Sequence, residues 1–485
     1  MIRPLRWMPI LALALPMLGQ AAASPSVYGL VIGIDDYVWA PKLTGAANDA
    51  RDLAQVLKEI QAKEVTVLLN GEATREGIFK AWDDMVAKTQ PGDTIFLTYS
   101  GHGSQEREHV KGSEVDGKDE NTILGGFRPT GAASFEKILD DEWQRRFALL
   151  KGVDVVALFD NCHSGSATRG WQGPETAKLP SRFLPLGDFN PGPTPGEQLE
   201  GAKFNIQPTE TFVGGSQDNQ VVLELNIDGQ PRGAASVYFA RALRGMADAD
   251  KDGKLSREEL RNYVTEGVRA ETEGRQTAQV DFGGEAKASL IAERIANTVI
   301  TASGPKLLKL ATSNITEGVE KQLWAALSGA EKAEAAQADL TWDYAAMKVY
   351  SKNGDAVADA EAPLQVQGVV DKWKLLSKYK ELSQSRPLPI RLKDGDRQYQ
   401  AGESLSVQVQ PRSNPYLTLI NVSADGTVNY LYPISKRRRP DKPMVDPAVQ
   451  YDLELKATAP FGADHLLAIA SPEQAVEFQK AAAAL

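Results

Sequence analysis

One cysteine, Cys162, occurs in 485 residues, which excludes an intramolecular disulfide and leaves a single thiol that its surroundings must explain. Long apolar runs are scarce. The one from Met8 to Leu18 follows Arg3 and Arg6 and precedes Ala21-Ala22-Ala23. It is shorter than the roughly 20 residues a membrane span needs and has the build of a secretory signal peptide, residues 1–23; an uncleaved anchor is the competing reading. No later stretch is long and apolar enough to span a bilayer, so a periplasmic or secreted chain with no span after cleavage is expected. Basic charge is in deficit as well. The full chain carries −10, and without Arg3 and Arg6 the 54 basic residues fall to 52 against 64 acidic ones, or −12. That balance disfavours nucleic acid and anionic membrane as partners and suits calcium and basic peptides, although ordinary solubility charge explains it equally.

A chain this long needs more than one core. From Val27 short apolar runs alternate with amphipathic stretches, the pattern of an open, mostly parallel α/β sheet flanked by helices. Strands are expected at 27–34, 65–69, 94–99, 153–159, 211–215 and 220–225, and helices at 46–60, 74–88, 143–150 and 234–246. Residues 166–205 are rich in proline and glycine and read as a long exposed loop. The composition divides the rest into a first domain at 24–300, a helical or irregular connector at 301–387 and a small β-rich domain at 388–485. In the last, Tyr416 to Pro433 holds two apolar runs flanking a Ser-Ala-Asp-Gly turn, the pattern of a hairpin.

Chemistry in such sheets gathers where strands end. The strand at 94–99 runs into Ser100-Gly101-His102-Gly103-Ser104, and the strand at 153–159 into Asp160-Asn161-Cys162-His163-Ser164-Gly165. A thiol attacks a carbonyl as its thiolate, and a neighbouring histidine favours that state and later protonates the leaving amine. Taken alone, the cysteine reads as a buried small hydrophobe and the histidine as structural; their placement at one sheet edge points to catalysis. The backbone N–H groups of Gly103 and Cys162 are candidates for an oxyanion hole.

The "YSGHGS" and "DNCHSG" segments, in this order and spacing, resemble those of the metacaspases and other caspase-like cysteine proteases. "GLVIGIDDY", "LTGAANDARDL", "DGKDENT", "LDDEW" and "GRQTAQVDFGG" extend the likeness over residues 27–300. The resemblance implies a caspase-like fold for 24–300, a dyad of His102 and Cys162 with no third acid, a structural His163, and cleavage of proteins or peptides after Arg or Lys. Asp49, Ser100 and Asp160 match positions that line the family's pocket, where acidic walls select a basic side chain. Viewed alone, Asp49 also reads as an acid favoured at a helix N-terminus. Ala46 stands where the family has a small residue or a cysteine. Caspase-like enzymes also divide themselves within the 166–205 loop, where Arg169, Lys178, Arg182 and Lys203 are candidate cut sites; an uncut insertion is the alternative.

Residues 248–259 fit the 12-residue EF-hand loop. Asp248, Asp250 and Asp252 supply carboxylates, Lys254 a backbone carbonyl, Ser256 a direct or water-mediated contact and Glu259 a bidentate carboxylate, while Gly253 permits the sharp turn. Ca2+ is the expected cofactor. By resemblance Asp119, Asp140 and Asp141 match a second calcium site, which Arg169 would oppose through its charge. The C-terminal region resembles an uncharacterised module attached to secreted bacterial caspase-like proteins, with an envelope or protein partner expected. Two other readings remain at this level: a catalytically idle, calcium-sensing scaffold, and a legumain-like enzyme specific for Asn or Asp, against which the acidic pocket argues.

Overall fold

The computed structural model describes residues 25–109, 117–162, 180–187, 206–217, 220–272, 274–291, 307–385, 388, 390–393, 399–411, 414–432, 445–446, 449–460, 462–474 and 476. The expected leader at 1–23, His163, the candidate cut sites Arg169, Lys178 and Lys203, and the basic run 436–439 lie outside them.

From the N-terminus the chain forms β1 (Val27–Gly33), α1 (Ala46–Glu59), β2 (Glu64–Leu69), α2 (Arg75–Val86) and β3 (Thr94–Ser100). A small antiparallel sheet follows, made of β4 (Gly103–Arg107), β5 (Lys118–Ile123) and β6 (Lys137–Leu139). Then come α3 (Asp140–Ala148), β7 (Asp154–Asp160), β8 (Glu210–Gly214), the hairpin β9 (Glu224–Ile227) and β10 (Gln230–Gly233), α4 (Ala234–Arg241), α5 (Arg257–Glu271) and β11 (Gln279–Phe282). The main sheet has the order β11-β8-β7-β3-β1-β2, parallel except for β11.

Strands β3 and β7 are apolar on both faces because helices cover both faces of a parallel sheet. Alternate residues divide between two cores: Phe96, Val156 and Leu158 face α1, α4 and α5, while Ile95, Leu97, Val155 and Ala157 face α2 and α3. Each of these side chains larger than Ala157 contributes roughly 1.5–3 kcal/mol by its burial. The chain runs outward from β1 to β2 and returns across to β3, so the strand order reverses beside β1. This reversal opens a crevice at the carboxyl ends of the strands.

Three stretches differ from expectation. Residues 220–223 are not a strand; their backbone pairs with residues 180–183, and β9 begins only at Glu224. The helix from Ala234 ends at Arg241 and passes into a wider turn closed by Gly245, whose φ of +91° suits glycine. The supposed connector is a folded unit. It comprises β12 (Leu308–Ser313), α6 (Glu317–Ala326), β13 (Ala330–Lys332), β14 (Leu340–Asp343), β15 (Lys348–Ser351), β16 (Ala356–Asp359) and α7 (Pro363–Ser385), with a five-stranded sheet closed over Leu310, Trp342, Val349 and the α7 residues Val366, Val369 and Val370.

The C-terminal region is β-rich as expected. One three-stranded sheet joins β17 (Ile390–Leu392), β18 (Ser404–Val409) and β21 (Tyr451–Lys456); the other joins β19 (Tyr416–Val422), β20 (Val428–Tyr432) and β22 (His465–Ser471). The hairpin read from the sequence is the β19–β20 pair.

Candidate active site

Ser100 and Asp160 are paired neighbours at the ends of β3 and β7, so His102 and Cys162 each leave the sheet two residues later from adjacent strands. The His102 ring is fixed. Its Nε2 lies 2.8 Å from the Pro41 carbonyl oxygen, which only accepts, so Nε2 carries the proton. Nδ1 is buried with no hydrogen bond. Tyr37 packs on the ring at 4.7 Å between centroids and accepts from the His102 backbone N–H through its hydroxyl at 2.8 Å. Burial holds the imidazole below its usual pKa, and the Arg182 guanidinium adds to the effect against the Pro41 carbonyl, so the ring is neutral at pH 7.

Cys162 is fully buried, and its sulfur accepts the Val222 N–H at 2.6 Å. Burial pushes the thiol up to about 12, against the Val222 hydrogen bond and the Arg182 charge, so it rests protonated. The N–H groups of Gly103 and Cys162 both point to one atom, the carbonyl oxygen of Arg182, at 2.9 and 3.4 Å. A side chain at position 103 would collide with the Cys162 carbonyl, so only glycine allows this approach. Two donors converging on a carbonyl oxygen are the arrangement that receives a tetrahedral oxyanion.

Arg182 is not on an exposed loop. Residues 180–184 run extended through the crevice. The Arg182 N–H donates to the Val222 carbonyl, the Glu224 N–H donates to the Pro180 carbonyl, and the Leu184 N–H donates to the Gly103 carbonyl, each at 2.9 Å. Ser104 Oγ donates to the Leu184 carbonyl at 2.6 Å. The composition of 166–205 signalled a solvated loop, whereas these backbone groups find partners in the site.

The Arg182 side chain is fully buried among carboxylates. Its Nη2 lies 2.6 Å from Asp49 and 3.3 Å from Glu224, and its Nη1 lies 3.2 Å from Asp160 Oδ2. Burial disfavours the guanidinium charge, but the three carboxylates outweigh it. Asp49 lies in the first turn of α1, as expected of an acid at a helix N-terminus, but its carboxylate does not cap that turn. Asp35 takes that place by accepting the Ala46 and Ala47 N–H groups at 2.8 and 3.2 Å, which leaves Asp49 to Arg182, to Arg232 at 2.7 Å and to the Gly233 N–H. Desolvation raises Asp49 to about 6. The Ser100 hydroxyl is engaged by another serine. It meets Ser236 at 3.0 Å, and Ser236 in turn donates from N and Oγ to Asp160 at 2.9 and 2.7 Å. Glu224, Arg232 and Ser236 carry no local sequence signal; each reaches the pocket by pairing across a long stretch of chain.

Residues 28–169 match the metacaspase peptidase C14 domain, and residues 398–474 match a domain of unknown function, DUF4384. Metacaspase-1 of Ajellomyces capsulatus is 30% identical over 255 residues, covering 44% of this chain and 70% of that protein. The chain belongs to the metacaspase family. Metacaspase-1A of Aspergillus fumigatus is 31% identical over 255 residues, 44% of this chain and 60% of that one. A crystal structure of a Geobacter sulfurreducens protein aligns with a TM-score of 0.40 at 22% identity, covering 56% of this chain and 98% of that one. By its family this metacaspase is a cysteine-type endopeptidase.

Away from the thiol, the metacaspase gathers Asp248, Asp250 and Asp252 so that one oxygen of each lies within 4.8 Å of the others. Asp248 Oδ2 accepts the Gly253 N–H at 2.9 Å, where φ is +80°, and its Oδ1 is buried with no partner. Glu259 folds back on the loop, accepting the Ala249 N–H at 2.9 Å and the Ser256 N–H and Oγ at 3.0 and 2.8 Å. An orphaned buried oxygen, converging carboxylates and oxygen-only donors fit a hard cation such as Ca2+. After the Lys254 position, Leu255 is buried and its carbonyl accepts the Leu290 N–H at 2.8 Å, which holds the loop to the body of the domain.

The second acidic set is not gathered. Among the described residues Asp119, Asp140 and Asp141 form no such cluster. Asp119 accepts the His109 backbone N–H at 2.8 Å, and the buried Glu106 between them pairs with His109 and Lys137. Asp119 Oδ1 and Asp141 Oδ2 are each buried with no hydrogen-bond partner, and the Lys137 ammonium supplies one positive charge beside them.

Proposed function

We propose that this metacaspase cleaves polypeptides after Arg or Lys with Cys162 as nucleophile and His102 as its base, and that its first substrate is its own Arg182–Phe183 bond. One observation carries the reading: Arg182 lies in a carboxylate-lined pocket with its own carbonyl oxygen between the N–H groups of Gly103 and Cys162.

The chemistry follows from the groups in place. His102 Nδ1, unprotonated because Nε2–H is committed to Pro41, takes the thiol proton as sulfur attacks the carbonyl carbon. The resulting oxyanion is held by the two N–H groups, each worth roughly a hundredfold or more in rate. Collapse breaks the C–N bond, His102 returns the proton to the leaving amine, and water assisted by His102 then hydrolyses the thioester. Until the bond is cut, residues 180–184 exclude any other substrate. Calcium in the 248–259 loop is proposed to brace α5 and to regulate this step. Export on the 1–23 leader and an envelope or protein partner for the C-terminal domain complete the proposal.

The test is cleavage of fluorogenic peptides ending in Arg, Lys, Asp or Asn by purified full-length protein, with calcium and with chelator, beside a Cys162→Ala control. Cleavage after Arg and Lys alone, together with fragments split at 182–183, is expected. Preference for Asp or Asn would overturn the specificity, and no cleavage at all would leave the idle, calcium-sensing scaffold.

A further inference from the structure

We propose that Glu224, the third carboxylate of the pocket, makes this protease select arginine over lysine. The inference rests on cleavage after basic residues at this site and adds the residue that divides them.

The guanidinium of Arg182 is gripped as a fork. Nη1 faces Asp160, donating to its carbonyl oxygen at 3.1 Å and lying 3.2 Å from its Oδ2. Nη2 is shared between Asp49 Oδ2 at 2.6 Å and Glu224 Oε1 at 3.3 Å. A lysine ammonium is a single point on a shorter reach and cannot meet both walls at once. Glu224 stands on the wall that only the far nitrogen touches. With lysine bound, Glu224 keeps its backbone and hydroxyl donors but loses the guanidinium beside it, and a buried carboxylate without that counter-charge discriminates more strongly than lost packing does.

Glu224 is held in place for this. Its Oε2 accepts the N–H and Oγ1 of Thr44 at 2.8 and 3.1 Å, and Oε1 accepts the Gly45 N–H at 2.8 Å. A side chain at Gly45 would collide with Glu224 Oε1 and with the backbone at Pro231 and Arg232. Resident charge does not cancel the demand for a second cation. Arg232 pairs with Asp49 and with Asp52, so apart from Arg182 the three pocket carboxylates face one resident guanidinium.

Because Glu224 also braces Thr44 and Gly45, a loss of rate alone does not identify its role; the ratio of the two substrates does. The experiment compares kcat/KM for matched peptides ending in Arg and Lys in calcium-treated full-length wild type, Glu224→Gln and Glu224→Asp, with melting temperatures as a control for folding. Wild type is expected to prefer Arg at least tenfold. Glu224→Gln should lower the Arg value about tenfold and the Lys value by less than threefold, and Glu224→Asp should restore part of the ratio. A second readout is self-cleavage at 182–183: Arg182→Lys should slow it about tenfold alone and much less in the Glu224→Gln background. Equal loss on both peptides, or a wild type indifferent to Arg and Lys, overturns the role of Glu224 and leaves cleavage after basic residues intact. A wild type that cleaves neither peptide overturns that underlying reading as well.

Discussion

Lys352 Nζ lies 2.6 Å from Glu271 Oε1 and so ties the second domain to the last turn of α5. Lys380 of α7 and the Tyr238 hydroxyl meet the other carboxylate oxygen. The same helix begins at the 248–259 loop with Glu259 in its first turn. Just past its end, Gln276 donates to the Gly215 carbonyl at 2.8 Å and accepts the Leu223 N–H at 3.3 Å. One element therefore joins the acidic loop, the second domain and the segment that pairs with residues 180–183.

Removing Glu271 strands two lysines at a largely buried contact. Glu271→Ala should cost about 2–4 kcal/mol, near the lower part of the range for broken buried pairs because both lysines keep some solvent. Burial works against the Glu271 charge, but Lys380 and Lys352 overcome it and hold the carboxyl well below its usual range. A depressed folded pKa contributes stability above the unfolded value of about 4.3, lost as pH falls through the folded value. Urea melts of the full chain from pH 3 to 7 should show a weaker acid loss in the variant, and parallel curves would count against the pair.

The buried, protonated thiol should resist alkylation. At pH 7 iodoacetamide is expected to label Cys162 slowly in intact protein, and Arg182→Ala, by loosening the strand across it, should speed labelling at least tenfold. Intact-mass spectrometry in a Phe183→Pro background, which discourages cutting, reads this directly. Equal labelling rates would mean that residues 180–184 do not guard the sulfur.

With the pocket filled, desolvation holds Asp49 near 6, so protonation below that pH weakens its grip on a cation. The kcat for an Arg peptide, which reports the filled pocket, should rise as pH climbs through about 6. His102, lowered from its usual value by burial, contributes a limb of its own. Asp49→Asn should cut kcat/KM about a hundredfold and abolish the limb near 6. A limb that survives the substitution belongs to another group.

Calcium should raise the melting temperature in proportion to the logarithm of its concentration once above the dissociation constant. Asp248→Ala with Glu259→Ala should abolish that rise. If the rise persists, the ion binds elsewhere; if activity and its calcium dependence are unchanged in the double variant, the loop does not regulate catalysis.

Much of the site was legible because strand-end residues fall in unbroken local segments: His102, Gly103, Asp160 and Cys162 lie within three residues of β3 or β7. What escaped was set by distant pairing. Glu224 is one acid in an apolar run and acquires its place from Thr44 and Gly45, 180 and 179 positions away. Arg182 could be listed among candidate cuts by charge, but its burial depends on carboxylates from three separate elements. Residues 307–385 read as a connector because their strands are only three to six residues long and share no sustained period with the Ala-rich sequence; their core forms only when α7 closes over them.

The strand across the active site belongs to the same molecule as the thiol it covers, with only residues 163–179 between Cys162 and Pro180. On the proposed reading the blocker is part of the molecule it blocks, so dilution does not release it. Cutting in cis would make activation a first-order event, with a half-time indifferent to how many molecules are present. Each copy would then carry its own single-use timer, started by whatever tightens the site and impossible to reset.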